Sequence, residues 1–419
     1  MIFRIFYSVI NLVVVLLALL LSPLSKKLRK AIKGRVHSIK KLKALRAQFP
    51  ESDILWFHAS SLGEYLQIEP VINQIGKSGS KIVVSFYSPS GYENVKNNNI
   101  DCKIFLPFDF LWMGYMALRT VLPKKLIFTT YDVWPNFIFA ANKMSIPTFL
   151  VSAKLDLQSS SLFKRYIYKN VYKGLSHIFA ATTKDQNELE KFLPGKKIEM
   201  LGNARYDSIL SKISSIDFQS SIQDRNHRKA LLLASIKRSD NATLFPKVFS
   251  MLDEKLFEKI IIIPHEVDED TVTSYEQIIK SRGHSYRRIS SIIDIQSIEE
   301  KIILVDSIGL LYQFCWQSFF CYVGGGFSSS GVHNLIEPAI ASNVIFFGPN
   351  YRNNNLFDAE GLMNTNAAFK IDSGEDFLKK LSAFFHNEEK FLSSADEGAN
   401  FVKKNSGAVS KLLERLINE

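Results

Sequence analysis

Residues 323–338 read VGGGFSSSGVHNLIEP. The apolar run Phe319-Phe320-Cys321-Tyr322-Val323 leads in as a buried strand and breaks into Gly324, Gly325 and Gly326. A polar loop follows, then Gly331, His333 and Asn334, then a helix start carrying Glu337. Strand, glycine turn and helix N-terminus in that order bring backbone N–H groups together on one point, which suits an anion. Three adjacent glycines tolerate positive φ and let a ligand approach the backbone. Glu337, one turn into the helix, can accept paired hydroxyls such as those of a ribose. A tight βα turn with a helix-capping acid accounts for the glycines equally well. The arrival of His333, Asn334 and Glu337 in the same short loop favours a nucleotide-type ligand.

The strand-then-loop pattern recurs on both sides of this stretch. Apolar runs at 53–57, 82–86, 126–129, 148–152, 177–180 and 198–201 alternate with helix-length segments at 65–75, 162–175 and 184–192. Such alternation predicts a parallel sheet covered by helices on both faces. A stretch rich in Ser, Gln, Asp and Asn, residues 211–228, reads as a linker, and strand-like runs restart at 230–234, 259–263, 302–305, 319–323 and 344–347. The 419 residues are enough for two domains with separate cores. The expected organisation is α/β, with two Rossmann-like, doubly wound domains at 51–210 and 229–390 whose binding loops face an interdomain cleft. The segment 391–419 keeps one apolar helical face through Val409, Leu412, Leu413, Leu416 and Ile417 and is expected to pack back on the first domain.

The net charge of +11 is local. Ten Lys/Arg and no acid lie between Lys26 and Arg46; removing them and Arg4 leaves residues 47–419 with no net charge. A nucleic-acid partner is therefore not expected. The residues ahead of the basic run explain it. Residues 5–25 are uncharged and rich in Val, Leu and Ile, long enough to span a bilayer as a helix. Residues 1–25 thus read as a single-pass anchor and 26–50 as a basic juxtamembrane segment, with everything after them cytoplasmic. That segment, with Leu28, Ile32, Val36, Ile39 and Leu42 interspersed, either lies on anionic headgroups or is a solvated charged face. Cys102, Cys315 and Cys321 have no CxxC spacing, which argues against disulfides and thiolate metal sites.

Several strand-end loops carry candidate chemistry. HASSLGE closes the first strand, and its Glu64 is either a general base or a helix-capping acid. His58 reads as a buried structural residue. Asp132, in YDVWPN, is a second acid for the same cleft or an N-cap before Pro135. Lys154, Arg205, Lys237 and Arg238 follow other strands; singly each reads as solvated surface, while together they suggest an anionic ligand. Pro264 and His265 close a strand in the same way. Neither HExxH nor any clustered His/Asp/Glu spacing points to a metal, and no Walker loop or GxSxG occurs.

The ordered motifs HASSLGE, YDVWPN, SAK, GNARYD, ASIKR, VDSIG, VGGGF, GVHNLIEPA and FGPNYRN resemble those of the 3-deoxy-D-manno-oct-2-ulosonic acid (Kdo) transferases, over residues 56–353. The resemblance implies a GT-B glycosyltransferase of the bacterial inner membrane. It would carry Kdo from CMP-Kdo to a lipid A precursor with inversion and without a cofactor. Glu64 matches the family's catalytic base and Asp132 its second acidic position. Residues 324–337 match the donor loop, in which Asn334 and Glu337 would hold the CMP phosphate region and ribose. Three motifs depart from the family. Its Glu-Thr-Glu reads Thr130-Tyr131-Asp132, its Ser-Thr-His reads Ser235-Ile236-Lys237, and its Arg-His-Pro reads Pro264-His265-Glu266. The donor-binding Arg is thus replaced, with Lys237, Arg238 or Arg352 as candidates to supply the charge; Arg205 stands for the family's Lys. The alternatives are another GT-B enzyme, such as an epimerase or a different glycosyltransferase, and a non-catalytic nucleotide-sugar binder at the membrane.

Overall fold

The computed structural model describes residues 2–154, 162–214, 230–291, 293–352, 356–385 and 387–418. The chain forms two compact units, Met1–Ser211 with Ser406–Glu419, and Lys212–Asn405. From residue 215 on, the expected linker lies outside the described residues.

The first unit holds β1 (Ile54–Ala59), β2 (Lys81–Phe86), β3 (Cys102–Phe105), β4 (Lys125–Thr129), β5 (Thr148–Ala153), β6 (His177–Ala180) and β7 (Ile198–Met200). They form one sheet in the order 3-2-1-4-5-6-7, every pairing parallel. Side chains alternate across a strand, so Ile54 and Trp56 join one core and Leu55 and Phe57 the other. Helices Lys26–Gln48, Leu111–Val121 and Pro135–Lys143 close the first core, and Leu62–Ile75 and Ala408–Asn418 the second.

The second unit repeats the plan with β8 (Ala230–Ile236), β9 (Lys259–Pro264), β10 (Tyr286–Ile289), β11 (Ile302–Val305), β12 (Phe320–Val323), β13 (Val344–Phe347) and β14 (Ala368–Lys370). Their order is 10-11-9-8-12-13-14, again all parallel. Strand order reverses between β1 and β4 and between β8 and β12. At such a switch point the loops leaving the two carboxyl ends diverge and open a crevice.

Two expectations are corrected at the termini. Helix Glu388–Lys404 stays with the second unit, because Ser394, Ala395, Gly398 and Ala399 make a small-residue face that lets it approach Ile336–Ile340 closely. Helix Ala408–Asn418 is the part that returns to the first unit. Asp207 accepts from the amides of Gly407 and Ala408 at its start, and Val409, Leu412 and Leu416 are buried beside Leu62–Ile75. The basic segment is likewise no bare surface. It is the helix Lys26–Gln48, whose Ala31, Arg35, Ser38, Leu42 and Leu45 face is buried against β3 and Leu111–Val121, leaving Val36, Lys30, Lys33, Lys40, Lys41 and Lys43 outside. Ahead of it the apolar helix Ile2–Leu21 leads into the turn Ser22–Leu24, and Phe6–Leu24 is long and apolar enough to cross a membrane.

Candidate functional site

At the first switch point, β1 runs into Ser60 and Ser61, and Ser61 caps helix Leu62–Ile75 in a reciprocal box. Glu64 N–H donates to Ser61 Oγ (3.4 Å) and Ser61 N–H donates to Glu64 Oε2 (2.9 Å). The capping reading of Glu64 is therefore realised. Glu64 is also buried, and desolvation raises its pKa, with the charge of Asp132 adding to the rise. The Ser61 amide and His58 pull it partly back. Such a carboxyl is a stronger base than an exposed one.

Across the switch, Thr130 takes a left-handed φ of +63° at the end of β4, and the chain turns so that Asp132 N–H donates to Thr129 O (3.1 Å). Asp132 does not cap helix Pro135–Lys143. Asp109 does so instead, accepting from the amides of Asn136 (3.3 Å) and Phe137 (3.1 Å). Asp132 Oδ2 lies 3.4 Å from His58 Nε2 and, among the described residues, is buried without a hydrogen-bond donor.

His58 is buried, as its strand position predicts, and it links the two loops. Its Nε2 accepts from Trp134 Nε1 at 2.9 Å, and its Nδ1 is 2.9 Å from Ser85 Oγ, which also accepts from Trp56 Nε1 (2.8 Å). The tautomer protonated at Nδ1 satisfies both rings. Tyr87, 46 % exposed, stacks on Trp134 at 5.0 Å. In the stretch after β3, Phe105 and Leu106 are core, whereas Trp112 is 63 % exposed. Lys154 follows β5 with its N–H on Thr130 O, and Arg205 opens helix Ala204–Ser214 with its N–H on Asn203 Oδ1.

At the second switch point the three glycines are required by the protein's own packing. A Cβ on Gly324 would lie 2.4 Å from Ser235 O, one on Gly325 2.3 Å from Gly331 O, and one on Gly326 2.5 Å from Gly348 N. Gly325 also needs its φ of +92°. Asp240, missed in the sequence, holds the turn. Fully buried, it accepts from Lys237 N–H (2.8 Å), Gly325 N–H (2.9 Å) and Tyr322 Oη (3.0 Å). Its signal was the acid three residues after Lys237, the capping spacing that Glu64 also shows.

Ser235 closes β8 with a φ of +51°. Lys237 Nζ donates to Ser330 Oγ at 2.7 Å, so its charge sits on the glycine loop. His265, just after Pro264 at the end of β9, stacks on His333 with ring centroids 4.0 Å apart. Burial, His265 and Lys237 push His333 down to about 4; burial and Lys237 also lower His265. Asn334 Oδ1 accepts from Ile336 N–H (3.0 Å) and starts the five-residue helix Ile336–Ile340, which places Glu337 in its first turn. Arg238 instead faces a hollow against helix Glu269–Ser281, and the Arg352 guanidinium lies 5.9 Å from the Tyr351 ring centroid.

A family model described as 3-deoxy-D-manno-octulosonic-acid transferase matches residues 30–208. The 3-deoxy-D-manno-octulosonic acid transferase of Rickettsia felis is 25 % identical over 378 residues, 88 % of this chain and 80 % of that protein. A bifunctional glycosyltransferase/methyltransferase of Fusobacterium nucleatum is 24 % identical over 382 residues; the match spans 87 % of this chain but 59 % of that longer protein. In structure, MurG of Acinetobacter baumannii superposes over 88 % of the chain and all of its own, with a TM-score of 0.58 at 12 % identity. That likeness speaks for the two-domain GT-B fold.

Proposed function

Because the chain belongs to the 3-deoxy-D-manno-octulosonic acid (Kdo) transferase family of glycosyltransferases, we propose that it moves Kdo from CMP-Kdo to the 6′-hydroxyl of a lipid A precursor. Its amino-terminal anchor holds it at the inner membrane, with both units in the cytoplasm. The observation that carries the reading is Glu64: a buried carboxyl at the β1–β4 switch point, with its pKa raised by burial and by Asp132.

Glu64 takes the proton of the acceptor hydroxyl as that oxygen forms a bond to the Kdo anomeric carbon. The bond from that carbon to the CMP phosphate oxygen breaks, CMP leaves with the electron pair, and configuration inverts. Asp132, whose Oδ2 lies 3.4 Å from His58 Nε2 across the switch point, keeps Glu64 basic by charge repulsion. Lys237, Ser330 and the stacked His265 and His333 receive the phosphate, with Asn334 and Glu337 at the start of the next helix. Lys237 takes the place of the family's Arg, since its amine lies on the loop and the side chains of Arg238 and Arg352 lie elsewhere. Lys237→Ala should weaken CMP-Kdo binding more than Arg238→Ala; equal losses would undo that assignment.

The deciding assay is Kdo transfer from CMP-Kdo to a tetraacylated lipid A precursor by wild type and Glu64→Gln. Gln keeps the capping bond to Ser61, so a fall of about a hundredfold or more reads the base and not the fold. Full activity in the variant removes Glu64 from the chemistry. No product from wild type with CMP-Kdo still bound points to a different acceptor.

A further inference from the structure

The amino-terminal apolar helix is tied to the first unit at its far end. Tyr7 Oη donates to Asp109 Oδ2 at 2.7 Å, and Asn11 Nδ2 donates to the Asp109 carbonyl at 2.8 Å. Asp109 is buried in the loop after β3 and is the same residue that caps Pro135–Lys143. Tyr7 and Asn11 share a helix face, and partial cover continues along it at Val15 and Ala18, while Val9, Val13, Leu16, Leu17 and Leu20 stand exposed.

The other end is tied as well, since Leu24 leads into Lys26–Gln48, which packs on β3. Tyr7 and Leu24 are about 25 Å apart along a helix, close to the ~30 Å depth of the hydrocarbon core. A helix crossing the bilayer would carry Tyr7 to the opposite face, beyond reach of a carboxylate buried in the unit that follows Leu24. Two residues past Asp109 begins Leu111–Val121, whose exposed face shows Trp112, Tyr115 and Met116 at i, i+3, i+4. Trp and Tyr are the side chains that favour the membrane interface. Exposed Lys33, Lys40 and Lys43 on the outer face of Lys26–Gln48 add charge complementary to anionic headgroups.

We propose that the Phe6–Leu24 helix lies in the plane of the membrane, docked through Tyr7, Asn11 and Asp109. With Trp112, Tyr115 and Met116 it forms one lipid-facing surface that seats the first unit on an anionic bilayer. Two measurements on the full-length chain test this, and neither reads sugar transfer, so both stand whether or not the transferase reading holds. In the first, a short polar extension bearing one cysteine is fused ahead of Met1 and compared with Ala47→Cys in sealed inner-membrane vesicles; Cys102, Cys315 and Cys321 are buried. A membrane-impermeant maleimide should label both new thiols from the same side, and labelling from opposite sides overturns the in-plane helix. In the second, the chain is bound to phosphatidylglycerol-containing liposomes with brominated acyl chains. Tryptophan emission should be quenched, with most of the quenching lost in Trp112→Phe. Equal quenching in both proteins removes Leu111–Val121 from the surface.

Discussion

Glu64 in the first unit and Asp240 in the second occupy the same place in the same fold. Each lies just after the strand beside its switch point, and each accepts the backbone amide of the residue three positions earlier, Ser61 or Lys237. Their surroundings separate them. Asp240 is enclosed by three donors and serves the structure. Glu64 keeps some exposure, sits near a second carboxylate and has its pKa raised. The ionisable groups differ as well: Lys237 and the stacked histidines lie at the second site, the two carboxyls Glu64 and Asp132 at the first. One repeated scaffold thus carries a carboxyl with a raised pKa in one unit and a fully hydrogen-bonded one beside a lysine in the other, which is what the proposed base and the proposed phosphate site each need.

The glycines sharpen that contrast and carry the largest expected effect. Gly324→Ala drives a Cβ into the backbone of Ser235 and Ile236, neither of which can swing aside, and should cost about 3 kcal/mol. Gly63→Ala, at the start of the Glu64 helix, meets nothing nearer than Ser61 Oγ at 4.0 Å and should gain up to ~1 kcal/mol from helix propensity. Urea unfolding of both variants checks the pair, and two similar values would mean that the second loop is not packed as described. Asp240→Ala follows closely. It strands two amides and the Tyr322 hydroxyl, for a loss of roughly 2–3 kcal/mol, together with weaker CMP binding by calorimetry. Intact CMP binding would separate Asp240 from the donor site.

The central strands and both switch-point loops were legible because a strand buried on both faces is a continuous apolar run that stops at polar or glycine residues. The strands that sequence missed, β3, β10 and β14, are all sheet edges. Edge strands carry polar residues, such as Arg287 and Arg288 in β10 and Lys103 in β3, so their pattern fades. Glu64, Asp132 and the glycine loop were singled out from their positions after strands. Asp240 was not, and His58 was read only as a buried strand residue, since their contacts with Gly325, Tyr322, Trp134 and Ser85 are distant in sequence. The basic run misled in another way. Composition shows the lysines, but the buried Arg35, Ser38 and Leu42 stripe becomes visible only once β3 and Leu111–Val121 stand beside it.

His58 tests whether the first site depends on more than its acids. His58→Phe removes the acceptor for Trp134 and the ring beside Asp132. Displacing that loop should lower kcat by about tenfold to a hundredfold, with KM for CMP-Kdo unchanged because the donor groups lie in the other unit. A matching rise in KM would spread the effect across both. In wild type, kcat/KM should also fall as pH drops through the Glu64 pKa, at a higher pH than for an exposed glutamate, since only the ionised form accepts a proton.

The smallest expected effect belongs to the histidine pair, and it asks whether an anion binds there. His333 titrates at about 4 in the folded chain, against roughly 6.5 when unfolded. Above ~6.5 both states are neutral and the pair contributes no pH dependence. As pH falls below that, the unfolded chain takes up a proton that the folded chain refuses, so stability declines toward pH 4 and then levels off. His265, also lowered, adds to the same slope. A phosphate beside Lys237 would offset the charge that disfavours protonation, raise both histidines and flatten the decline. Thermal melts from pH 7.5 to 4 with and without CMP, in wild type and in His333→Asn, would show this. The slope should be shallower in the variant and, in wild type, shallower with CMP; a wild-type slope indifferent to saturating CMP would put the phosphate away from Lys237 and the stacked rings.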